Sequence, residues 1–199
     1  MAAFIITIIF YAFGMSITPG PTNIIMMSTG VNYGFKSTIP FATGAAFGYT
    51  SLVMIVAFGL GELLTENKAI MQNMTYFGSA MISFMGFKIA FSSSTVDEKK
   101  RSRPSFIYGA ALQWLNPKSW IACMAGVSAF QISVSEERLI IFLLIYVTVG
   151  YLCVLSWGLA GAKINHFLKV GQNLRIFNYI MGVSLIIIAV YLAMMEHSI

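Results

Sequence analysis

Charged residues are scarce in this 199-residue chain, at 10% of the sequence against about 25% in an ordinary soluble domain. Hydrophobic residues make up 58%, and the mean hydropathy is +0.80. A soluble globule of this size needs more polar surface than 12 basic and 7 acidic side chains supply, whereas a bilayer accommodates apolar side chains on the outside of the fold. The composition therefore predicts an all-α membrane protein.

Reactive and metal-binding residues are equally few. The two cysteines, Cys123 and Cys153, both lie in apolar stretches and form no CxxC spacing, so we interpret them as packing residues. The two histidines, His166 and His197, lie at the edges of apolar runs. No Ser/His/Asp set, HExxH pair or Asp dyad is present. We therefore predict no enzymatic activity, no metal site, no cofactor and no nucleic-acid partner.

Six apolar runs are long enough to cross a bilayer at about 20 residues per crossing. They cover residues 3–31, 38–60, 74–91, 106–130, 139–162 and 177–195. The first is interrupted at Thr18-Pro19-Gly20-Pro21 and the fourth at Asn116-Pro117-Lys118. These runs predict six transmembrane helices in a single domain, 1–199, with helices one and four broken near mid-membrane.

The basic residues are distributed unevenly over the predicted loops. Nine lie in or beside the connections between helices one and two, three and four, and five and six: Lys36, Lys88, Lys99, Lys100, Arg101, Arg103, Lys163, Lys169 and Arg175. The opposite set holds two, Lys68 and Arg138, beside Glu62, Glu66, Glu136 and Glu137. Because cytoplasmic loops are enriched in Lys and Arg, we predict both termini outside and the loop 92–104 in the cytoplasm. This topology also accounts for the net charge of +5.

The two interrupted runs occupy matching positions in the two halves of the chain. Each is followed by two plainer runs, with a Gly-Tyr pair in the next helix and a glycine inside the last one. We predict a repeat over 1–91 and another over 105–199. Because three crossings are an odd number, the second unit enters from the opposite side, as in many secondary transporters. Chance similarity between generic membrane helices is the alternative.

Proline at each interruption has a chemical consequence for the helix. It removes a backbone donor and opens the helix, and it is favoured at the first position of a new one. The new amino termini carry unpaired N–H groups and partial positive charge, which suit a carboxylate. A plain proline kink is the alternative. The predicted substrate-binding residues are Pro19, Gly20, Pro21, Thr22, Asn23, Gln113, Asn116, Pro117, Lys118 and Ser119.

Lys118 is the one ionisable residue predicted deep in a span, where a lysine costs about 2.5–3.5 kcal/mol on insertion scales. Three roles are open: attraction of a substrate carboxylate, proton transfer, or an interfacial anchor reached by snorkelling. No acid lies in a span core to hold the ammonium group of a zwitterion. That group would bind carbonyls of the unwound segments, an amide side chain or an aromatic face. The candidates are Asn23, Gln113, Asn116, Trp114 and Trp120.

The segments ITPGPTNIIMMSTGVNYGFKST, GAAFGY and GAALQWLNPKSW, together with the basic central loop, resemble the LysE/RhtB family of amino-acid efflux proteins. The resemblance covers essentially the whole chain. The stretch ALQWLNPK and the chain length are most similar to the cysteine and O-acetylserine exporter branch. The resemblance implies a proton-motive-force-linked exporter of amino acids or close derivatives in the bacterial inner membrane. It leaves the exported amino acid and the oligomeric state open.

Two other functions compete with export. A membrane thiol-disulfide electron carrier needs a cysteine near the break in each half, and the first helix has none. A passive small-solute channel needs an open lumen lined by charged or carbonyl rings, whereas inverted repeats with broken helices favour alternating access.

Overall fold

The computed structural model describes residues 1–60, 67–91, 103–168 and 172–196, and within these ranges the chain is helical without strands. Eight α-helices follow in order. They are α1 (Ala2–Ile17), α2 (Pro21–Tyr33), α3 (Ile39–Ile55), α4 (Lys68–Ala90), α5 (Phe106–Leu115), α6 (Pro117–Ala129), α7 (Glu136–Leu168) and α8 (Asn173–Glu196). Several residues of the topology prediction lie outside the described ranges. These are most of the loop 92–104 with Lys99, Lys100 and Arg101, and also Glu62, Glu66, Lys169 and His197.

Fewer helices qualify as membrane spans than the six predicted. In the described part of the chain, three helical segments are long and apolar enough to cross alone: Phe35–Gly59, Glu136–Leu168 and Asn173–Met194. The bent pair α1 and α2 makes a fourth if it counts as one span. The second break divides the fourth predicted crossing into helices of 10 and 13 residues, each too short to span. The chain is thus a multi-pass helical membrane protein, and the six-span arrangement stays a prediction.

Helix ends differ from the ends of the apolar runs. Helix α7 begins at Glu136 and continues to Leu168, beyond the predicted 139–162 at both ends. Glu136 and Glu137 lie in its first turn, where acidic side chains interact favourably with the helix dipole. Hydropathy therefore indicates the lipid-facing part of a helix and not its capped ends.

Both predicted breaks are present. Helix α1 ends at Ile17, and α2 begins at Pro21 with its axis bent by 64°. Helix α5 ends at Leu115, and α6 begins at Pro117 after the single extended residue Asn116. In each case proline occupies the first turn of the new helix, where its missing N–H is not needed.

Close helix packing depends on glycine at several crossings. The most extensive pairings are α4 with α8, α2 with α7, and α3 with α5. At the α4–α8 crossing, a Cβ on Gly86 would lie 2.7 Å from the carbonyl oxygen of Gly182, and a Cβ on Gly182 would collide with the carbonyl oxygen of Gly86. The two helices therefore touch backbone to backbone, as small residues allow between membrane helices. This crossing pairs the two glycines that the predicted repeat places in corresponding helices.

We expect Gly86→Ala to destabilise the protein by about 1–3 kcal/mol, because the added methyl group meets backbone that cannot rotate away. Gly14→Ala is the matched control, since no atom lies within 4 Å of a Cβ built there. It should stabilise α1 by about 0.5–1 kcal/mol through its helix propensity. Thermal unfolding in detergent measures both. Equal transition temperatures for the two variants would contradict the packing account.

Large apolar side chains also cover the outer surface. Phe10, Phe77 and Ile107 are each more than two-thirds exposed, as a lipid-facing surface requires. Inside, the buried apolar residues form two clusters, one containing Ile8, Leu52 and Phe142 and the other containing Met26 and Phe41. At each helix break the chain passes from one of these clusters to the other. Both breaks line the same cavity.

Candidate functional site

A cavity of about 90 Å³ lies where the two breaks approach each other. At roughly 15 Å³ per water molecule this corresponds to about six waters or one small solute. Its walls come from both breaks and from α3 and α7. The lining residues are Met15, Ser16, Gly20, Pro21, Thr22, Asn23, Ala42, Ala45, Ala46, Tyr49, Gln113, Asn116, Lys118, Ser119, Ala122, Tyr146, Val147, Gly150, Tyr151 and Val154.

Side chains satisfy the backbone carbonyls that the first break leaves unpaired. Asn23 donates from Nδ2 to the carbonyl oxygens of Ser16 at 2.7 Å and Thr18 at 2.9 Å. The indole N–H of Trp157 donates to the carbonyl of Ile17 at 3.2 Å. Irregular backbone at membrane depth is tolerated only when such partners are supplied. The break is therefore a built feature with its own hydrogen bonds.

Lys118 connects the second break to the first. Its Nζ donates to the hydroxyl of Thr18 at 2.8 Å and to the carbonyl oxygens of Thr18 at 3.0 Å and Pro19 at 3.4 Å. These acceptors follow the carboxyl end of α1, where the helix dipole favours a cation. Gly20 leaves room for this side chain, because a Cβ there would lie 3.3 Å from its Nζ. In this conformation the ammonium group binds protein atoms next to the cavity.

Gln113 makes a second connection between the breaks. Its Nε2 donates to the hydroxyl of Thr22 at 3.2 Å, and its Oε1 accepts from the hydroxyl of Ser119 at 2.8 Å. Thr22 is in the first turn of α2 and Ser119 in the first turn of α6. A single amide thus spans the starts of the two half-helices.

The two half-helix starts are not equivalent. In α6, Asn116 caps the helix by accepting from the backbone N–H of Lys118 at 3.2 Å, and the carbonyl of Asn116 accepts from the N–H of Ser119 at 2.9 Å. Helix α2 follows Gly20, has Pro21 in its first turn and has no side-chain cap. The start of α2 therefore keeps more backbone N–H capacity for an anion than the start of α6.

Most of the predicted site residues line the cavity. Eight of the ten do so: Gly20, Pro21, Thr22, Asn23, Gln113, Asn116, Lys118 and Ser119. Pro19 and Pro117 do not line it; Pro19 accepts from Lys118 through its carbonyl, and Pro117 opens α6. The structure thus brings residues from two distant segments to one place.

The cavity wall also carries tyrosine hydroxyls that the sequence did not predict. Tyr49 and Tyr146 stack with ring centroids 4.5 Å apart and an interplanar angle of 11°, and Tyr151 lies within 3.1 Å of the Thr43 hydroxyl. A usable signal was present, because membrane tyrosines concentrate at the interfaces whereas these lie within long helices. Ser16 and Trp157 gave no comparable signal.

The two tryptophans considered for the ammonium group do not line the cavity. The indole N–H of Trp120 donates to the carbonyl of Trp114 at 2.7 Å, and that of Trp114 donates to Ser51 Oγ at 3.0 Å. Their rings meet edge to face with centroids 6.1 Å apart. Each indole N–H needs a partner when buried. Because both N–H groups have one within the protein, we interpret the two rings as packing residues around the second break.

Comparison with known proteins identifies the family. The sequence model of the family described as LysE type translocator matches residues 13–196. Cysteine/O-acetylserine efflux proteins of Salmonella paratyphi A and Escherichia coli K12 are 28% and 27% identical to the chain over 173 residues, which cover 83% of this chain and 87% of theirs. No solved structure matches. Translocators of this kind are not enzymes, in agreement with the prediction. The chain belongs to the LysE type translocator family.

Proposed function

We propose that this protein is a secondary active exporter that binds an amino acid in the cavity between its two helix breaks. The observation that carries the proposal is the meeting of both breaks at one cavity, whose largely apolar wall includes polar side chains from each break. Discontinuous helices in transporters present their ends to substrate near the centre of the membrane. The related efflux proteins support cysteine, O-acetylserine or an amino acid of similar size as the substrate.

The carboxylate of the substrate binds at the start of α2. This start has no side-chain cap, and its backbone N–H groups and helix dipole favour an anion. Lys118 lies beside it, close to Gly20. Its ammonium group turns from the Thr18 and Pro19 acceptors towards the carboxylate when the substrate enters. The contribution of Lys118 to proton transfer is an alternative role for the same side chain.

The fold works as two inverted three-helix units, 1–91 and 105–199. Support comes from the matched positions of the two breaks and from the crossing of α4 and α8 at Gly86 and Gly182. Relative movement of the two units exposes the cavity to one face of the membrane and then to the other. The bonds from Lys118 and Gln113 across the breaks hold the described conformation and exchange during this movement.

The orientation of the protein in the membrane and the proton gradient across it determine the direction of transport and supply its energy. The distribution of the basic residues supports an arrangement with both termini outside the bacterial inner membrane under the positive-inside rule, and the proton motive force drives export. Lipids surround the helices. A passive channel stays the alternative function.

Ligand-induced stabilisation of the purified protein tests the proposal. A ligand that binds only the folded protein at 100 times its Kd adds about 2.7 kcal/mol of stability. We expect O-acetyl-L-serine or L-cysteine to raise the melting temperature, and we expect their methyl esters, which lack the carboxylate, to have no effect. Equal shifts with acid and ester would contradict carboxylate recognition at α2.

A further inference from the structure

Two buried polar atoms beside the cavity have no hydrogen-bond partner. In the described part of the chain, three buried side-chain oxygens lack one: Asn23 Oδ1, the Tyr49 hydroxyl and Ser79 Oγ. Asn23 and Tyr49 both line the cavity, whereas Ser79 is not among its lining residues. Buried polar groups are nearly always paired in folded proteins. Both oxygens are covered in the described conformation, so a ligand in the adjacent cavity supplies the missing donors after a small shift of the cavity wall.

The orientation of the Asn23 amide is fixed by its neighbours. Its Nδ2 donates to two carbonyl oxygens, those of Ser16 and Thr18. Exchanging the amide nitrogen and oxygen would place an acceptor against both carbonyls, so Oδ1 is the atom left over. The residue is 3% exposed, and its free oxygen can only accept.

The Tyr49 hydroxyl differs from other tyrosine hydroxyls around the site. Tyr11 donates to the carbonyl of Ala122 at 2.6 Å, and Tyr151 pairs with Thr43. Tyr49 is 8% exposed, and its ring is held by stacking on Tyr146. Its hydroxyl has no partner at full hydrogen-bond geometry, and the hydroxyl of the stacked Tyr146 interacts with it outside that geometry. The stacked ring pair also presents π-faces of the kind that attract cations.

We infer that Asn23 Oδ1 and the Tyr49 hydroxyl form the subsite for the α-ammonium group of the substrate. This inference rests on the proposed function, because it assumes a carboxylate at the start of α2. Asn23 lies in that first turn, so an amine on the carbon next to the carboxylate comes close to it. No Asp or Glu is among the described residues lining the cavity, so uncharged oxygens bind the ammonium group. The subsite selects α-amino acids over carboxylic acids of the same shape.

Matched ligands test this selection. The probes are L-cysteine, 3-mercaptopropionate, which lacks only the amine, and L-cysteine methyl ester, which lacks the carboxylate, all in a non-thiol reductant. Binding to the purified full-length protein is measured by calorimetry. We expect wild type to bind L-cysteine at least about tenfold more tightly than 3-mercaptopropionate, because one hydrogen bond to a charged group is worth that factor.

Tyr49→Phe is the decisive variant, because it removes a hydroxyl that has no partner at full hydrogen-bond geometry and keeps the ring that stacks on Tyr146. The preference for L-cysteine should fall about tenfold, while binding of 3-mercaptopropionate and the melting temperature stay unchanged. Ser79→Ala is the control: it removes an equally unpaired hydroxyl away from the cavity and should leave the preference intact. Asn23→Ala should also lower the preference, with a loss of stability because the carbonyls of Ser16 and Thr18 lose the bonds from Asn23.

The outcomes separate the two proposals. Equal binding of L-cysteine and 3-mercaptopropionate by wild type would overturn the ammonium subsite and leave the carboxylate site standing. A preference that survives in Tyr49→Phe and Asn23→Ala would overturn the assignment to these residues. Equal binding of acid and methyl ester would contradict the proposed function itself, and the ammonium subsite would fall with it.

Discussion

Lys118→Met is expected to reduce export by about a hundredfold or more. Methionine keeps a similar length and apolar stem but removes the donor of two short hydrogen bonds to Thr18. Because the ammonium group exchanges these bonds for bonds to the substrate carboxylate, the variant loses the counter-charge and hydrogen bonds to a charged group that contribute about 1.5–3 kcal/mol each. Export of O-acetyl-L-serine from cells, normalised to the amount of folded protein, measures the effect.

Lys163→Met is the matched control for the lost charge. Lys163 is an exposed residue near the carboxyl end of α7 and does not line the cavity, so export should stay close to wild type. Measuring both variants across a range of external pH separates the roles of Lys118. Normal export by Lys118→Met at every pH would leave Lys118 as an anchor only.

The double substitution Pro19→Ala and Pro21→Ala is expected to abolish amino-acid binding while preserving insertion and folding. Alanine restores two backbone N–H groups, which can donate to the carbonyls four residues earlier, those of Met15 and Ile17. These carbonyls now accept from Thr18 and Trp157. Regular helix bonds through the break would oppose the 64° bend and remove the free start of α2.

Ligand-induced stabilisation again provides the measurement for the double variant. We expect no shift of its melting temperature with O-acetyl-L-serine, and a melting temperature without ligand at least equal to wild type. Pro40→Ala is the control, because Pro40 lies in the first turn of α3, is exposed and does not line the cavity. A full ligand response in the double variant would show that the break is not required for binding.

The sequence predicts the breaks well because their cause is local. Proline removes a donor wherever the chain goes, so Pro21 and Pro117 determine where α2 and α6 begin. The meeting of the two breaks depends on tertiary packing and could be inferred only through the proposed repeat. The partners of Lys118 were beyond prediction, because they are one hydroxyl and two backbone oxygens contributed by a segment about a hundred residues away.

The ends of the membrane helices and the roles of the cavity tyrosines are the features least predictable from the sequence. Hydropathy indicates a crossing at residues 74–91, but α4 starts at Lys68 and is not among the apolar spans of the described chain. Side-chain hydroxyls such as that of Tyr49 carry little weight in an apolar run. Their role emerges only when the structure shows which buried oxygens are unpaired.

Both connections across the breaks join the same two regions. Lys118 reaches the end of α1, and Gln113 spans Thr22 and Ser119. A movement that opens the cavity to either face must lengthen or exchange these bonds, so substrate binding and conformational change act on the same groups. A passive channel has no need for such bonds.

Cysteine accessibility of the cavity wall tests the central claim most directly. Ala46 lines the cavity and is partly exposed, and the native Cys123 and Cys153 are buried, so Ala46→Cys supplies a distinct reactive thiol in sealed vesicles. Alternating access predicts that a membrane-impermeant thiol reagent labels it from either face and that O-acetyl-L-serine, but not its methyl ester, protects it from both. Labelling from one face only, or labelling that O-acetyl-L-serine does not slow, would contradict a substrate site shared by the two breaks.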